Sequence, residues 1–152
     1  MTIHLTSSAF ANDAMIPGKY TCTGEDVSPP LAWSGIPTGT QSLALIVDDP
    51  DAPSKVWTHW VLFNLPASTA WLAENVPPQP TLPDGAKQGT NDFHKIGYGG
   101  PCPPSGTHHY HFHLYALDDA VGLAPGASKQ DLLDAMQGHV IDEGELIGLY
   151  KK

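Results

Sequence analysis

The sequence feature that most constrains the fold of this chain is the density of proline and glycine between short apolar segments. Each of the two residue types occurs 15 times in 152 residues, and both concentrate in the segments 28–39, 48–54, 77–85 and 97–106. Proline fixes φ and removes a backbone donor, so these segments are predicted to be shaped loops. The pattern favours a loop-rich, mainly β protein, and the length predicts a single domain over residues 1–152.

The apolar segments between these loops have the patterns of strands. Residues 42–48, SLALIVD, are typical of a buried strand, and residues 56–65, VWTHWVLFNL, predict a second one that Pro66 ends. Residues 108–117, HHYHFHLYAL, alternate strictly and predict a third, and GELIGLY predicts a short final strand. We expect the first three to form the middle of one sheet, with their polar ends clustered at one edge.

One helix is predicted near residues 128–138. Ser128 is a natural N-cap, Asp131 completes a capping-box pattern, and Gly138 supplies the stop. Its apolar stripe consists of Leu132, Leu133 and Met136. Mostly strands with one late helix predict a β-sandwich or a similar fold with one or two short helices.

The charge balance argues against several classes of partner. Seven basic residues, all of them lysine, face sixteen acidic ones, and the net charge is −9. Such a surface repels phosphate backbones and anionic lipid, so we expect neither nucleic-acid binding nor stable membrane insertion. The segment MTIHLTSSAF lacks the features of a signal peptide, and a cytoplasmic location is expected.

Cys22 and Cys102 are too few for a disulfide framework and lack the paired spacing of a zinc site. In a reducing cytoplasm the expectation is two free thiols. A disulfide is the alternative, because both residues border Gly/Pro-rich loops that could bring them together in space.

The strand at 108–117 carries four histidines. Alternation sends one set of side chains to an apolar face, namely His108, Tyr110, Phe112 and Leu114, and a second set to the other face, namely His109, His111 and His113. Histidines two apart stand about 6.5 to 7 Å apart along a strand, a spacing from which two rings can bind one metal. A third donor such as Glu143 or His94 would be needed, so the simpler interpretation is a surface or packing role.

A second cluster of polar residues follows the first strand, in VDDPDAP and then VWTHW. Alternation places Asp48 and Asp49 on opposite sides, so at most one of them shares a side with His59 unless the chain bends. A carboxylate beside an imidazole fixes its tautomer and favours its charged form, which suits a general base or an anion receptor. The simpler interpretation is that the aspartates cap a proline turn.

Three motifs occur in a defined order along the chain, and their order is more specific than any one motif alone. DDPDAP, then W-x-H-W, then YGGPCPPSGTHHYHF-x-LYAL resemble the phosphatidylethanolamine-binding protein family, in its bacterial Raf-kinase-inhibitor-like branch, and so does IPGKYTCTGEDVSPPLAW. The resemblance implies a sandwich of antiparallel sheets whose small pocket binds phosphate-like anions, including phospholipid headgroups. It also implies a non-enzymatic protein without a cofactor or resident metal, with a regulated protein partner such as a kinase or protease and a homodimer as further expectations.

The matching motifs indicate which residues would bind the ligand. By motif these are Asp49, Asp51, Trp57, His59, Pro104, Gly106, His108 and Tyr110. The resemblance implies that His59 and His108 face each other, that Asp49 orients them, and that Tyr110 donates its hydroxyl. His109 replaces the usual arginine of the motif, so affinity for a dianion is expected to rise as the histidines protonate below about pH 6.5.

Two other functions remain open at this point. The first is a hydrolase or lyase that uses the Asp49 and His59 pair as acid and base, with Cys102 as a possible thiol nucleophile. The second is a metal-binding protein built on the outward-facing histidines His109, His111 and His113.

Overall fold

The computed structural model describes residues 2–152, and its secondary structure there is mainly β. The strands are β1 (His4–Thr6), β2 (Ala14–Met15), β3 (Leu31–Ser34), β4 (Ser42–Asp49), β5 (Trp57–Pro66), β6 (Trp71–Leu72), β7 (Lys87–Gln88), β8 (Thr107–Leu117) and β9 (Val140–Lys151). The α-helix α1 spans Lys129–Met136, and a 3₁₀ turn spans Gly18–Tyr20. Among these residues, no helix is both long and apolar enough to cross a membrane.

The strands form two sheets. The larger has the order β2-β9-β8-β4-β5-β7 and the smaller the order β1-β3-β6. All pairs are antiparallel except β2 with β9, which is parallel. The prediction of a mainly β sandwich is confirmed, and the three strands predicted at the middle of one sheet, β4, β5 and β8, are indeed neighbours.

Strand β4 is buried along its whole length because the large sheet is covered on both faces. Leu43, Leu45 and Val47 belong to the core that also contains residues of the small sheet. Ala44 and Ile46 belong to a second core, which contains residues of α1. A strand buried on both faces reads as a continuous apolar run, which is why SLALIVD shows no alternation.

Helix α1 forms as its sequence predicts. The backbone N–H of Asp131 donates to the Ser128 side chain at 3.0 Å, and the Asp131 carboxylate accepts from the backbone N–H of Ser128 at 3.1 Å. This reciprocal pair is a capping box. Leu132 and Met136 are buried against the large sheet, which leaves the helix on the face opposite the small sheet.

Two predictions are corrected by the structure. The segment 28–39 is not loop throughout, because β3 lies inside it, with Leu31 and Trp33 buried and the residues between and after them exposed. Four residues flanked by prolines are too short a run to reveal this alternation against the loop signal. The expectation of free thiols is wrong as well: Cys22 and Cys102 form a disulfide, with a Cα–Cα distance of 5.4 Å.

Candidate functional site

A cavity of about 210 Å³ opens where β4 ends and where β5 and β8 begin. Polar groups at the ends of the three central strands meet there, at one edge of the large sheet. Six of the eight residues predicted to bind a ligand line the cavity, namely Asp49, Trp57, His59, Pro104, His108 and Tyr110.

His59 reaches the cavity because β5 bulges at this residue. Val47 of β4 pairs with Trp60, whereas the next residue of β4 pairs with Thr58, so His59 has no partner on that strand. A bulge adds one residue to a strand and re-aims its side chain. The His59 ring consequently lies 5.2 Å from the ring of Tyr110, centroid to centroid, on the inner face of β8.

The His59 imidazole is held by backbone and lacks a carboxylate partner. Its Nδ1–H donates to the carbonyl oxygen of Gly99 at 2.6 Å, which leaves Nε2 without a proton in the neutral ring. Burial lowers the pKa of His59 below its ordinary value, and the Gly99 hydrogen bond and nearby carboxylates oppose this shift without cancelling it. Burial thus moves the protonation of His59 to a lower pH than the value of about 6.5 expected for a histidine in water.

The other imidazole of the cavity, that of His108, contacts a carboxylate, whereas that of His59 does not. His108 Nδ1 lies 2.7 Å from Asp49 Oδ2, and both residues are buried. The other carboxylate oxygen, Asp49 Oδ1, accepts from the backbone N–H of Asp51 at 2.8 Å. Asp49 thus orients His108 through a direct hydrogen bond, and the His59 ring is oriented by Gly99 instead.

Tyr110 supplies the one buried side-chain polar atom without a hydrogen-bond partner in the part of the chain that the structure describes, its hydroxyl oxygen. Burial, with a smaller contribution from Asp49, raises the pKa of Tyr110 well above its ordinary value, so the hydroxyl keeps its proton. An unsatisfied buried hydroxyl costs about 1–3 kcal/mol. In the wall of a cavity, such a group is a donor available to a ligand.

The loop that closes the cavity is attached to the loop at residues 20–26 by hydrogen bonds and by a disulfide. The backbone N–H of Gly100 donates to Asp26 Oδ1 at 2.7 Å, and a Cβ at Gly100 would lie 2.4 Å from that atom. The second attachment is the disulfide, whose Cys102 lines the cavity. Because its sulfur is bonded to Cys22, Cys102 offers no thiol for catalysis.

Six lining residues were not among the predicted ligand-binding residues, and Phe93 is the aromatic one among them. Phe93 packs edge-on against Trp57 and His59, with centroid distances of 5.6 and 5.4 Å. It lies in the loop after β7, five residues before the motif that begins at Tyr98, and its neighbours give no pattern from which its position could be predicted.

The comparisons with known proteins bear on this site. The family model described as phosphatidylethanolamine-binding protein matches residues 6–151. The chain belongs to the phosphatidylethanolamine-binding protein family. Among relatives of this family, a UPF0098 protein of Methanothermobacter thermautotrophicus is 59% identical over 150 residues, covering 99% of each chain. A UPF0098 protein of Pyrococcus horikoshii is 51% identical and covers 96% of this chain and 75% of its own.

Two solved structures of phosphatidylethanolamine-binding protein relatives agree with the fold. The homolog from Chlamydia trachomatis superposes with a TM-score of 0.91 at 42% identity, covering 99% of this chain and 98% of that one. YbcL of E. coli, described as a new member of the mammalian family, superposes with a TM-score of 0.93 at 33% identity, covering 100% and 99%.

Two of the residues matched to the motifs of the phosphatidylethanolamine-binding protein family lie outside the cavity wall. Asp51 Oδ2 accepts from the backbone N–H of His109 at 2.8 Å and lies 2.7 Å from its Nδ1, which ties the proline turn to β8. His109, at the position of the family's usual arginine, is therefore engaged with a carboxylate. Gly106 has a left-handed φ of 70° just before β8, a conformation that favours glycine.

Proposed function

We propose that the cavity binds a small phosphate-like anion, such as the headgroup of a phospholipid, without chemical turnover. The observation that carries this proposal is the protonated, buried and unpartnered hydroxyl of Tyr110 in the cavity wall. A ligand that brings an acceptor oxygen would satisfy this group, and a hydrogen bond to a charged acceptor contributes about 1.5–3 kcal/mol.

The imidazoles support an anion in the same place. Asp49 accepts from His108 Nδ1 and fixes the orientation of the ring, so that Nε2 is the nitrogen left to contact the ligand. Neutral His59 presents Nε2 as an acceptor, which suits a ligand that also carries a proton or an ammonium group. The combination of donors and one acceptor fits a phosphomonoester or a phosphoethanolamine group.

Size and surroundings favour a headgroup as the bound part. The volume of about 210 Å³ lies below the roughly 300–1,000 Å³ of pockets for drug-sized ligands. Trp57, Phe93 and Pro103 provide apolar walls that displace water, and hydrogen bonds and charge pairs are stronger in such surroundings.

One observation favours a second function. The short contact between Asp49 and His108 is the arrangement of a carboxylate that orients a general base. An acid–base enzyme built on this cavity would use His108 with Asp49, whereas His59 has no direct carboxylate partner. Binding that is followed by turnover of phosphate esters would favour this second function over a binding protein.

The test is an NMR titration of histidine ring signals with phosphoethanolamine near pH 6, on tag-free protein in the presence of chelator. We expect the His59 and His108 signals to shift and saturate, and the affinity of Tyr110→Phe to fall about 10-fold, the equivalent of about 1.4 kcal/mol. His139→Asn is the control, because this exposed histidine contacts Asp118 far from the cavity.

Two results contradict the proposal. The first is a titration in which neither cavity histidine responds to phosphoethanolamine. The second is saturable binding that Tyr110→Phe leaves as tight as in the wild type, which would place the ligand elsewhere. Release of inorganic phosphate during the titration, with loss of that activity in His108→Asn, would favour the enzyme.

A further inference from the structure

The outer face of β8 holds a cluster of two imidazoles and one carboxylate. His111 Nδ1 and His113 Nδ1 lie 3.2 and 3.3 Å from the same atom, Oε2 of Glu145. One ligand atom from each of the three residues lies within 4.8 Å of the other two. Glu145 is directly opposite His113 in the register of β8 and β9. This pairing supplies the third donor, for which the sequence suggested Glu143 or His94.

These separations match a tetrahedral metal centre. Zinc lies about 2.0–2.1 Å from imidazole nitrogen and about 2.0–2.2 Å from carboxylate oxygen, which places tetrahedral ligand atoms about 3.4 Å apart. Both nitrogen-to-oxygen separations in the cluster are close to this value. The three side chains are 24%, 23% and 33% exposed, so a bound ion would be shielded on one side and open to water on the other.

The ring of His113 lies between two carboxylates. Its Nε2 is 3.3 Å from Asp48 Oδ1, and its Nδ1 is the nitrogen that faces Glu145. A neutral imidazole carries a single N–H. If Nε2–H donates to Asp48, the Nδ1 lone pair points toward a carboxylate oxygen, an arrangement that a cation between the two atoms would stabilise.

The Asp48 carboxylate is placed to hold His113 in the tautomer that carries its proton on Nε2. The Lys129 ammonium lies 2.7 Å from Asp48 Oδ2 and offsets the carboxylate charge. A carboxylate that accepts from the remote nitrogen of a histidine is the usual support for a metal-binding ring.

From this geometry we propose that His111, His113 and Glu145 bind a divalent transition-metal ion such as Zn²⁺, with Asp48 as a positioning residue and water in the open position. Two imidazoles and a carboxylate form a ligand set that zinc uses in proteins. His109 is left out of the ligand set because only His111, His113 and Glu145 bring ligand atoms close together in the described part of the chain. The site lies on the opposite face of the sheet from the cavity and does not depend on the function proposed for it.

The test is calorimetric titration of Zn²⁺ into tag-free, chelator-treated protein at pH 7.5, with ring ¹⁵N signals recorded in parallel. We expect one ion per chain and metal-induced shifts of Nδ1 in His111 and His113. Glu145→Gln, which keeps the shape of the side chain, should weaken binding at least 10-fold. Asp48→Asn should weaken it by about 10- to 100-fold, the range for residues that support a ligand.

The matched control is His139→Asn, which removes an exposed histidine paired with Asp118 and should leave the zinc affinity unchanged. Equal zinc affinities in Glu145→Gln, His111→Asn and His139→Asn would overturn the proposal. So would a His113 ring that shows both N–H signals at pH 7.5 and is unaffected by zinc, since that result identifies an imidazolium held by two carboxylates. Circular dichroism of each variant confirms that it is folded.

Discussion

Two residues in the cavity bury polar groups that would be more stable in water, and both therefore cost the folded protein free energy. Tyr110 buries a hydroxyl without a partner, and His59 buries an imidazole whose charged form is disfavoured. Proteins commonly give up stability at binding sites, where groups are arranged for a ligand. Substitutions of Tyr110 and His59 therefore allow the effect on ligand binding and the effect on the free energy of unfolding to be measured separately.

The first prediction concerns Tyr110→Phe, which removes only the unpartnered hydroxyl. We expect the free energy of unfolding to stay the same or rise by up to about 1–3 kcal/mol, because no hydrogen bond is lost and a buried polar group is removed. Urea unfolding measures it. The matched control is Tyr98→Phe, since the Tyr98 hydroxyl donates to the carbonyl oxygen of Tyr20 at 2.7 Å. That variant should lose about 1 kcal/mol, and equal losses in both variants would contradict the prediction.

The second prediction concerns pH. Because burial lowers the pKa of His59, the unfolded chain takes up a proton below about pH 6.5 that the folded protein does not bind. His59 therefore makes the free energy of unfolding fall as the pH drops below about 6.5, by at most about 1.4 kcal/mol per pH unit. His59→Asn keeps a donor for the Gly99 carbonyl and should show a shallower dependence.

Urea unfolding of wild type, His59→Asn and the exposed-site control His139→Asn at pH 7.0, 6.0 and 5.0 checks this prediction. The difference between wild type and His59→Asn should shrink with acidification. A constant difference across the three pH values would mean that His59 protonates alike in both states.

The sequence could predict half of the residues that line the cavity and only part of their arrangement. Three ordered motifs identify Asp49, His59 and His108, but the one-residue bulge in β5 that turns His59 toward the cavity is not visible in its sequence. The expectation that Asp49 orients both imidazoles holds for His108 only, because His59 Nδ1 contacts the Gly99 carbonyl instead. Hydrogen bonds such as that from His59 to Gly99 join residues remote in sequence, and periodicity carries no information about them.

At the scale of elements, the two faces of the large sheet carry different features. The inner face carries the cavity, while the outer face carries helix α1 and the cluster of His111, His113 and Glu145. Long strands and the capped helix were predictable because their patterns are local. The short strands β1, β2, β6 and β7 were not, because two or three residues carry no periodicity and are extended only through their partners.

The third prediction concerns the N-cap of α1. Ser128→Ala removes the acceptor for the Asp131 N–H and should lower the free energy of unfolding by about 1 kcal/mol. Ser128→Thr keeps an acceptor oxygen and serves as the control. Because α1 lies on the face opposite the cavity, neither variant should change the affinity for phosphoethanolamine. Equal urea midpoints for the two variants would show that the cap contributes nothing.

At the scale of the whole molecule, the disulfide joins a loop near the beginning of the sequence to the wall of the cavity. Sequence spacing left its formation open, because two cysteines 80 positions apart show no pairing until the fold brings them together. Such bonds are uncommon in a reducing cytoplasm. The cytoplasmic location expected from the sequence therefore stays a prediction.

The fourth prediction is that reduction of the disulfide both destabilises the protein and weakens ligand binding in the cavity. The chain-entropy model gives an upper value of roughly 4.5 kcal/mol for a loop of this length, and native disulfides typically contribute about 2–4 kcal/mol. We expect the thermal midpoint to fall by about 5–15 °C in reductant, with weaker binding of phosphoethanolamine. The Cys22→Ala/Cys102→Ala double variant should show the lower midpoint in both buffers. If reductant lowers the midpoint of the double variant equally, the loss has another cause.

Strand β9 comes last in chain order yet lies in the interior of the large sheet, between β2 and β8. Its residues pair with both cavity residues of β8, Tyr150 with His108 and Gly148 with Tyr110. While the ribosome still holds β9, the nascent chain exposes the free edge of β8, a template for pairing with other chains. Pairing of β9 with β8 therefore completes the inner and the outer face of this part of the sheet at once, and a chain cut before Val140 is expected to lose both the cavity and the cluster of His111, His113 and Glu145.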